Sequence, residues 1–274
     1  MKNNKLFIVI SLLLLCLSIY LFKTAPAVLD EGQSKQGIQL PVSVLFEAIA
    51  AENNVVRTLY TKQIVGKSKI SGLKYSEDWS AEEVQAGPLP ALFLRAVAQE
   101  LEKSPVPLSL FLGSDFPISS ANAFDGQQNE VFQGMKTTQK PAFFYADNTR
   151  RHVAMFPDYA VAAACVDCHN KHPDTPKTDW QLGDMMGATT WLYPDETVTL
   201  DEITKTLAVL RASFRKVYAG YLLKTQSFAK PPEIGDKWPD EGHYLPSVEV
   251  FFAVYDTQAS EQTMRLLLAN SVAL

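Results

Sequence analysis

The stretch "CVDCHNKHPDTPKTDWQLGDMMG", residues 165–187, concentrates chemistry that the rest of the chain uses sparingly: two of three cysteines and two of four histidines in 274 residues. Its first five residues, Cys165-Val166-Asp167-Cys168-His169, have C-x-x-C-H spacing, the pattern of c-type haem attachment. Two thiols three apart on a turn can each add to one vinyl group of a porphyrin, while the adjacent imidazole faces the iron. Zinc fits the stretch less well, because a structural site takes four protein ligands and there is no second cysteine pair. A thioredoxin-like dithiol opens a helix after a strand and has no use for the following histidine. A disulfide between Cys165 and Cys168 would close too small a loop to stabilise much. One covalent haem c with His169 as iron ligand is therefore the expectation, and a single motif excludes a wire of several haems.

The N-terminus places that motif in a compartment. Lys2 and Lys5 precede an uncharged run, Leu6 to Phe22, "LFIVISLLLLCLSIYLF", which Lys23 closes. As a helix it spans roughly 26 Å, a little short of a bilayer core but longer than a usual signal-peptide core, so residues 1–23 read as a transmembrane anchor. Ala25-Pro26-Ala27 offers a cleavage pattern, so the alternative is a signal peptide and a secreted product. Either way the lysines stay inside and the rest is exported, in the anchored case to the periplasmic face of an inner membrane. Cys16 follows Leu13-Leu14-Leu15 rather than small residues, which disfavours lipoprotein processing and leaves it as an apolar membrane residue. The net charge of −5, with lysines and arginines dispersed, excludes a nucleic-acid partner.

Residues 24–39, broken by Gly and Pro, read as a linker. Apolar residues recur at helical spacing from Pro41 to Val65, and "PLPALFLRAVAQELEKS" is a second helix with prolines at entry and Pro105 beyond its end. A further helix is expected to start in "LKYSEDWSAEEVQ", residues 73–85. "PLSLFLGS", a hairpin in "KPAFFYADNTRRHVAMFPDY" with Asp147-Asn148 at its tip, and "MMGATTWLYP" read as strands. With the motif as a loop between them, residues 40–195 form an α+β domain of antiparallel strands and flanking helices. In the extension, 196–274, a long helix capped by Thr199 or Asp201 is followed by a Pro-rich segment, a strand "VEVFFAVYD" and a final helix "ASEQTMRLLLAN".

The string from Cys165 to Gly187, together with "GLKYSEDW", "PLPALFLR" and "FPISSANAF", resembles the Tll-like family of single-haem c-type domains over residues 40–195. The resemblance implies a PAS-like antiparallel sheet with flanking helices, haem linked through Cys165 and Cys168, and His169 as proximal ligand. Some relatives place a cysteine on the first long helix as the distal ligand; here that helix has none, and Tyr60 or Leu59 stands there. His172 and Pro173 would shape the loop, while Lys177, Asp179, Trp180 and Asp184 would line the porphyrin edge or meet its propionates. Arg57, Lys62, Arg150 and Arg151 are further cations for that role.

The other side of the iron decides the function. Met155, Met185, Met186, His152, His172, His243, Tyr60 and Lys62 are the residues weighed as a sixth ligand. An open position suits a sensor of a diatomic gas or of redox state. A filled one suits a one-electron carrier with a protein partner. A peroxidase-like enzyme would need a distal base, for which His152 is the one candidate, and the reading adopted is a non-enzymatic module.

Overall fold

A computed structural model describes residues 38–271 and, before them, residues 14, 15, 17, 18 and 20. The chain divides into Met1–Ile38 and Gln39–Leu274, and the fold below is that of the second unit. Most of the expected membrane run and most of the linker lie outside the described residues. Among the described residues no helix is long and apolar enough to cross a membrane.

Strand β1 (Gln39–Pro41) leads into helix α1 (Val42–Leu59), which continues through a π-helical turn, Tyr60–Gly66, into the short α2 (Lys67–Ser71). The helical period foreseen over Pro41–Val65 is the one that buries Val42, Leu45, Phe46, Ile49, Val56 and Leu59. Strands β2 (Tyr75–Ser76) and β3 (Gly87–Pro88) pair in parallel and bracket the segment expected to start a helix. That segment forms turns instead: Ser76 Oγ accepts from the Asp78 N–H at 3.2 Å, and Ala81 and Val84 donate to carbonyls three residues back. Pinning both ends to one another leaves too little chain for a regular helix between them. Helix α3 (Pro90–Glu102) has its proline at the first helical position, where no N–H is needed.

The central sheet has four antiparallel strands: β4 (Ser109–Gly113), β5 (Ala142–Ala146), β6 (Arg151–Tyr159) and β7 (Met185–Tyr193), in the order β4-β7-β6-β5. Trp191 stands opposite Ala154 and Leu110, and these three face a core shared with α1 and α3. Val153, Met155, Ala188 and Leu192, on the other face by strand alternation, pack on Phe132 and Met135. Those two belong to helix α4 (Gly126–Thr138), which has no counterpart in the sequence reading because it buries only this pair; Asp125 caps it by accepting from the Gln128 N–H at 2.7 Å. Between β6 and β7, where a loop was expected, stands helix α5 (Ala163–Lys171).

After β8 (Thr197–Thr199), helix α6 (Leu200–Thr225) starts at a capping box. Thr199 Oγ1 accepts from the Glu202 N–H at 3.2 Å, and Glu202 returns by accepting from the Thr199 N–H at 2.7 Å. Strands β9 (Glu233–Gly235) and β10 (Tyr244–Pro246) precede helix α7 (Val248–Ser271). The strand expected at "VEVFFAVYD" is thus the first part of a helix. Its Val, Phe and Tyr content favours a strand locally, but Phe251, Phe252, Tyr255 and Ala259 are all fully buried. Helical spacing alone lets all four enter the core that α1 and α6 share. The result is a mixed α/β unit with small sheets.

Candidate functional site

Helix α5 forms because residues 163–171 contain neither Gly nor Pro, and Pro173 ends it. Its last turn is closed by the His172 N–H donating to the Cys168 carbonyl at 2.9 Å. Helical residues three and four apart share a face, so Cys165, Cys168 and His169 line up on one side. Asp167 and Lys171, ion-paired to each other and well exposed, occupy the opposite side. Both cysteines are free thiols, Cys165 half-buried and Cys168 exposed. Partial burial, reinforced by the charges of Glu77 and Asp167, pushes the Cys168 thiol up and keeps it protonated. Burial lowers His169 against the pull of Glu77, which favours the neutral imidazole. Its Nδ1 is buried with no hydrogen-bond partner, as is the Trp180 Nε1.

The residues after α5 form a buckled loop. Asn170 clasps Trp180 twice, its Oδ1 accepting from the Trp180 N–H and its Nδ2 donating to the Trp180 carbonyl, both at 2.9 Å. Trp180 is buried and meets Phe116 edge-on at 6.2 Å. Lys177 lies over the Trp180 ring at 4.8 Å and pairs with Asp179. Asp184 accepts from the Gln181 N–H at 2.8 Å, and its backbone accepts from Ala160 at 2.9 Å, fastening the loop to the end of β6. Breaking the clasp has a local readout: Asn170→Ala removes two hydrogen bonds worth roughly 1–2 kcal/mol together. About tenfold faster hydrogen exchange of the Trp180 amide is expected, measured by NMR, with a loss of global stability no larger than about 1–2 kcal/mol.

His172 is committed. Its Nδ1 accepts from the Asp174 N–H at 3.1 Å, which puts the ring proton on Nε2, and Nε2 donates to Glu77 Oε2 at 3.1 Å. It therefore joins the motif to the "KYSEDW" segment and is not a free iron ligand. From α1, Arg57 reaches Asp158 at the end of β6, and Asp158 also accepts from Thr189 at 2.8 Å. The Asp158 charge holds the guanidinium above its ordinary range, against burial, and Cys165 lies close enough to add to the effect. Arg57 is thus the candidate cation brought to the motif. Arg151 is not: it donates to the Pro107 carbonyl and Ser109 at the start of β6, and that strand runs roughly 25 Å before the motif follows its end. Arg150 sits in the hairpin turn with φ 54°, and Lys62 is exposed on the π-turn.

Tyr60, read as standing at the distal position, is a core residue. Its hydroxyl donates to the Pro88 carbonyl at 2.7 Å, its ring stacks on Phe93 at 4.5 Å, and burial raises it well above the ordinary tyrosine range. Met155 and Met185 are buried under α4. Both ring nitrogens of His243 meet carbonyl oxygens, of Ser71 at 2.8 Å and Lys230 at 3.0 Å. His152 packs against Tyr145, 5.0 Å away on the hairpin. Among the described residues no three His, Cys, Asp or Glu side chains are placed to hold a metal ion, so the zinc alternative lacks a ligand set. A porphyrin brings four nitrogens of its own and asks one imidazole of the protein.

Apolar side chains surround the motif. Val161 is 70% exposed, Leu182 63% and Phe116 40%, and the pairing of Ala160 with Gly183 and Asp184 sets the first two side by side. Sequence reasoning missed Glu77 and Asn170. An acid in a loop ninety-odd positions upstream carries no local signal, although Asn170 follows the histidine directly.

Comparison with known proteins returns no match among curated proteins and none among solved structures. The sequence model of the Tll0287-like family matches residues 35–194. That span is more than half of the chain and contains every residue of the site described above, from Arg57 and Glu77 to Asp184. The chain belongs to the Tll0287-like family.

Proposed function

We propose that this chain is an exported, membrane-associated mono-haem protein with a PAS-like haem domain, in which Cys165 and Cys168 hold one haem c covalently and His169 is the proximal ligand. The observation that carries the reading is the single face of α5 that presents two free thiols and an imidazole with a buried, unpartnered Nδ1. The exposed apolar side chains of Val161, Leu182 and Phe116 supply a surface that a porphyrin would cover. Cys165 and Cys168 would hold the group through two thioethers, each thiol adding its sulfur and its hydrogen across one vinyl group with nothing lost. When bound, haem supplies an iron that changes valence or takes a diatomic ligand. Of the chain's own residues, His169 would supply the imidazole, Trp180 and Phe116 would give the porphyrin an aromatic surface, and Arg57 and Lys177 would be the cations for its propionates.

Most of the side chains weighed as a sixth ligand are committed elsewhere: Tyr60 to the Pro88 carbonyl, His172 to Glu77, His243 to two carbonyls, Met155 and Met185 to the core under α4. This favours an open sixth position, and with it sensing of redox state or of a diatomic gas over service as an electron carrier. The lysines before the apolar run Leu6–Phe22 support anchoring with the domain on the periplasmic side.

Expression of the full chain with a c-type haem maturation system tests this. Wild type is expected to retain haem on a denaturing gel and, once reduced, to shift its spectrum with CO; Cys165→Ser with Cys168→Ser retains none. Absence of covalent haem in wild type overturns the proposal. A six-coordinate low-spin spectrum indifferent to CO makes the protein a carrier instead.

A further inference from the structure

The four-stranded sheet ends at β5, whose outer edge pairs with no strand among the described residues. Gln127 donates to the Tyr145 carbonyl at 3.0 Å, so that carbonyl points away from β6. Backbone direction alternates along an antiparallel strand. Phe143 and Tyr145 therefore turn their N–H and C=O groups to the open side, while Ala142, Phe144 and Ala146 turn theirs to β6. The Phe143 and Tyr145 side chains share one face of the sheet and are 45% and 44% exposed. Each rests on a β6 neighbour, Phe143 on Phe156 at 5.9 Å and Tyr145 on His152 at 5.0 Å. Lys140 and Pro141 guard one end in the manner of many edge strands, but the uncharged aromatic middle is a template for another strand. The flanks carry opposite signs, Lys140 before the strand and Asp147 after it, both exposed.

We infer that β5 pairs antiparallel with β5 of a second copy of this chain, about a twofold axis at Phe144, and so joins two sheets into one. With Phe144 opposite its own counterpart, Phe143 faces the partner's Tyr145, and each such pair exchanges two N–H···O=C bonds. The Phe–Tyr contacts are of the aromatic cross-strand kind that stabilises sheets. Lys140 then stands opposite the partner's Asn148, next to the partner's Asp147, so both ends of the pairing gain an ion pair. Neighbouring registers are poorer. A centre at Phe143 puts Tyr145 opposite Pro141, which has no N–H. A centre at Tyr145 puts Lys140 opposite Arg150, two like charges. The Gln127 bond is exposed and yields the Tyr145 carbonyl to the partner's N–H. Five residues a side make a small contact, so the dimer belongs to the weak, transient class. The pairing uses no residue of the haem site, and loss of dimerisation and loss of haem are read separately.

The experiment mixes unlabelled and isotope-labelled full chain in a neutral detergent and adds a carbodiimide, which joins an amine only to a carboxylate that touches it. Within one chain Lys140 and Asp147 lie roughly 23 Å apart along the strand, so a link between them is intermolecular. A Lys140–Asp147 cross-link carrying one labelled and one unlabelled peptide is the expected result, read by mass spectrometry. Sedimentation equilibrium between about 10 μM and about 1 mM should show monomer and dimer together. Lys140→Asp alone, or Asp147→Lys alone, turns two attractions into two repulsions and should weaken dimerisation about tenfold; the two changes together should restore it. Phe143→Lys puts a charge on the open edge and should abolish it. Absence of the mixed cross-link, monomer at every concentration, or a double exchange that fails to restore the dimer overturns the inference. A dimer that survives Phe143→Lys and both single exchanges also overturns it and places self-association elsewhere in the chain.

Discussion

Arg211→Ala is expected to lower the unfolding free energy by about 3–5 kcal/mol, the range for removing one partner of a buried ion pair. Its partner Glu52, on α1, is fully buried. The carboxylate accepts from two nitrogens of Arg211 on α6 and from Tyr255 and Thr263 on α7. Burial alone would raise this carboxyl, but the hydrogen bonds from Arg211, Thr263 and Tyr255 outweigh it and hold it below its ordinary value of 4.5. Removing the guanidinium strands a charge that water cannot reach. Glu52→Gln is expected to cost less, because the Arg211 side chain is 31% exposed and can turn its charge to solvent. The sign of the pH dependence separates the two cases. In wild type the folded-state pKa is depressed, so the Glu52 contribution is fully present above about pH 4.5 and is lost as pH falls through the lower folded value. In Arg211→Ala burial prevails and raises the pKa, so the penalty is present at neutral pH and is relieved as acid protonates the carboxyl. Urea unfolding of both proteins between pH 7 and pH 4 should show the gap between them narrowing. A gap that stays constant or widens would exclude Glu52 as the titrating group.

Gly187→Ala is the second large effect. Gly187 is in β7, one position from the Ala188–Gly113 pair that registers β7 on β4. A Cβ there would stand 2.3 Å from the Gly113 carbonyl oxygen. That obstacle is backbone, so the two strands must part, and overpacking of this kind costs typically 1–3 kcal/mol; the upper end is expected. Gly113→Ala provides the contrast: its Cβ meets the rings of Phe124 and Phe111, side chains rather than backbone, and the loss should be smaller. Thermal unfolding of the two variants in parallel would show the order, and equal or reversed losses would place the constraint elsewhere. Because β7 begins where the motif loop ends, Gly187→Ala should also loosen the Ala160–Asp184 pairing, visible as faster exchange of the Ala160 amide.

The elements that were legible beforehand share a feature: each is encoded by neighbours within a few positions. The stripe of α1, the proline entry of α3, the cap of the long helix at Thr199 or Asp201, which the structure gives to Thr199, and the β5–β6 hairpin all follow from spacing and turn chemistry. Two failures have the same cause. Residues 73–85 have helix-start residues but are tethered at both ends by the β2–β3 pairing, and "VEVFFAVYD" has strand composition but enters a core that accepts only helical spacing. In each case long-range packing overrode local propensity.

The candidate site divides along that line. C-x-x-C-H spacing is local, and any helix through residues 165–169 puts both thiols and the imidazole on one face; the sequence by itself determined this much, and with it the family. What surrounds that face was decided by tertiary structure. Arg57 meets Asp158 across 101 positions, His172 meets Glu77 across 95, and Glu52 reaches Thr263 across 211. Tyr60, at the end of the first long helix, reads as standing at the distal position, yet the packing of Phe93 and Tyr221 around it makes it core. Sequence spacing specifies which side of its own element a residue occupies, whereas its partner depends on how helices and sheet close on one another. Closure is driven by burial of apolar area that no single segment contains.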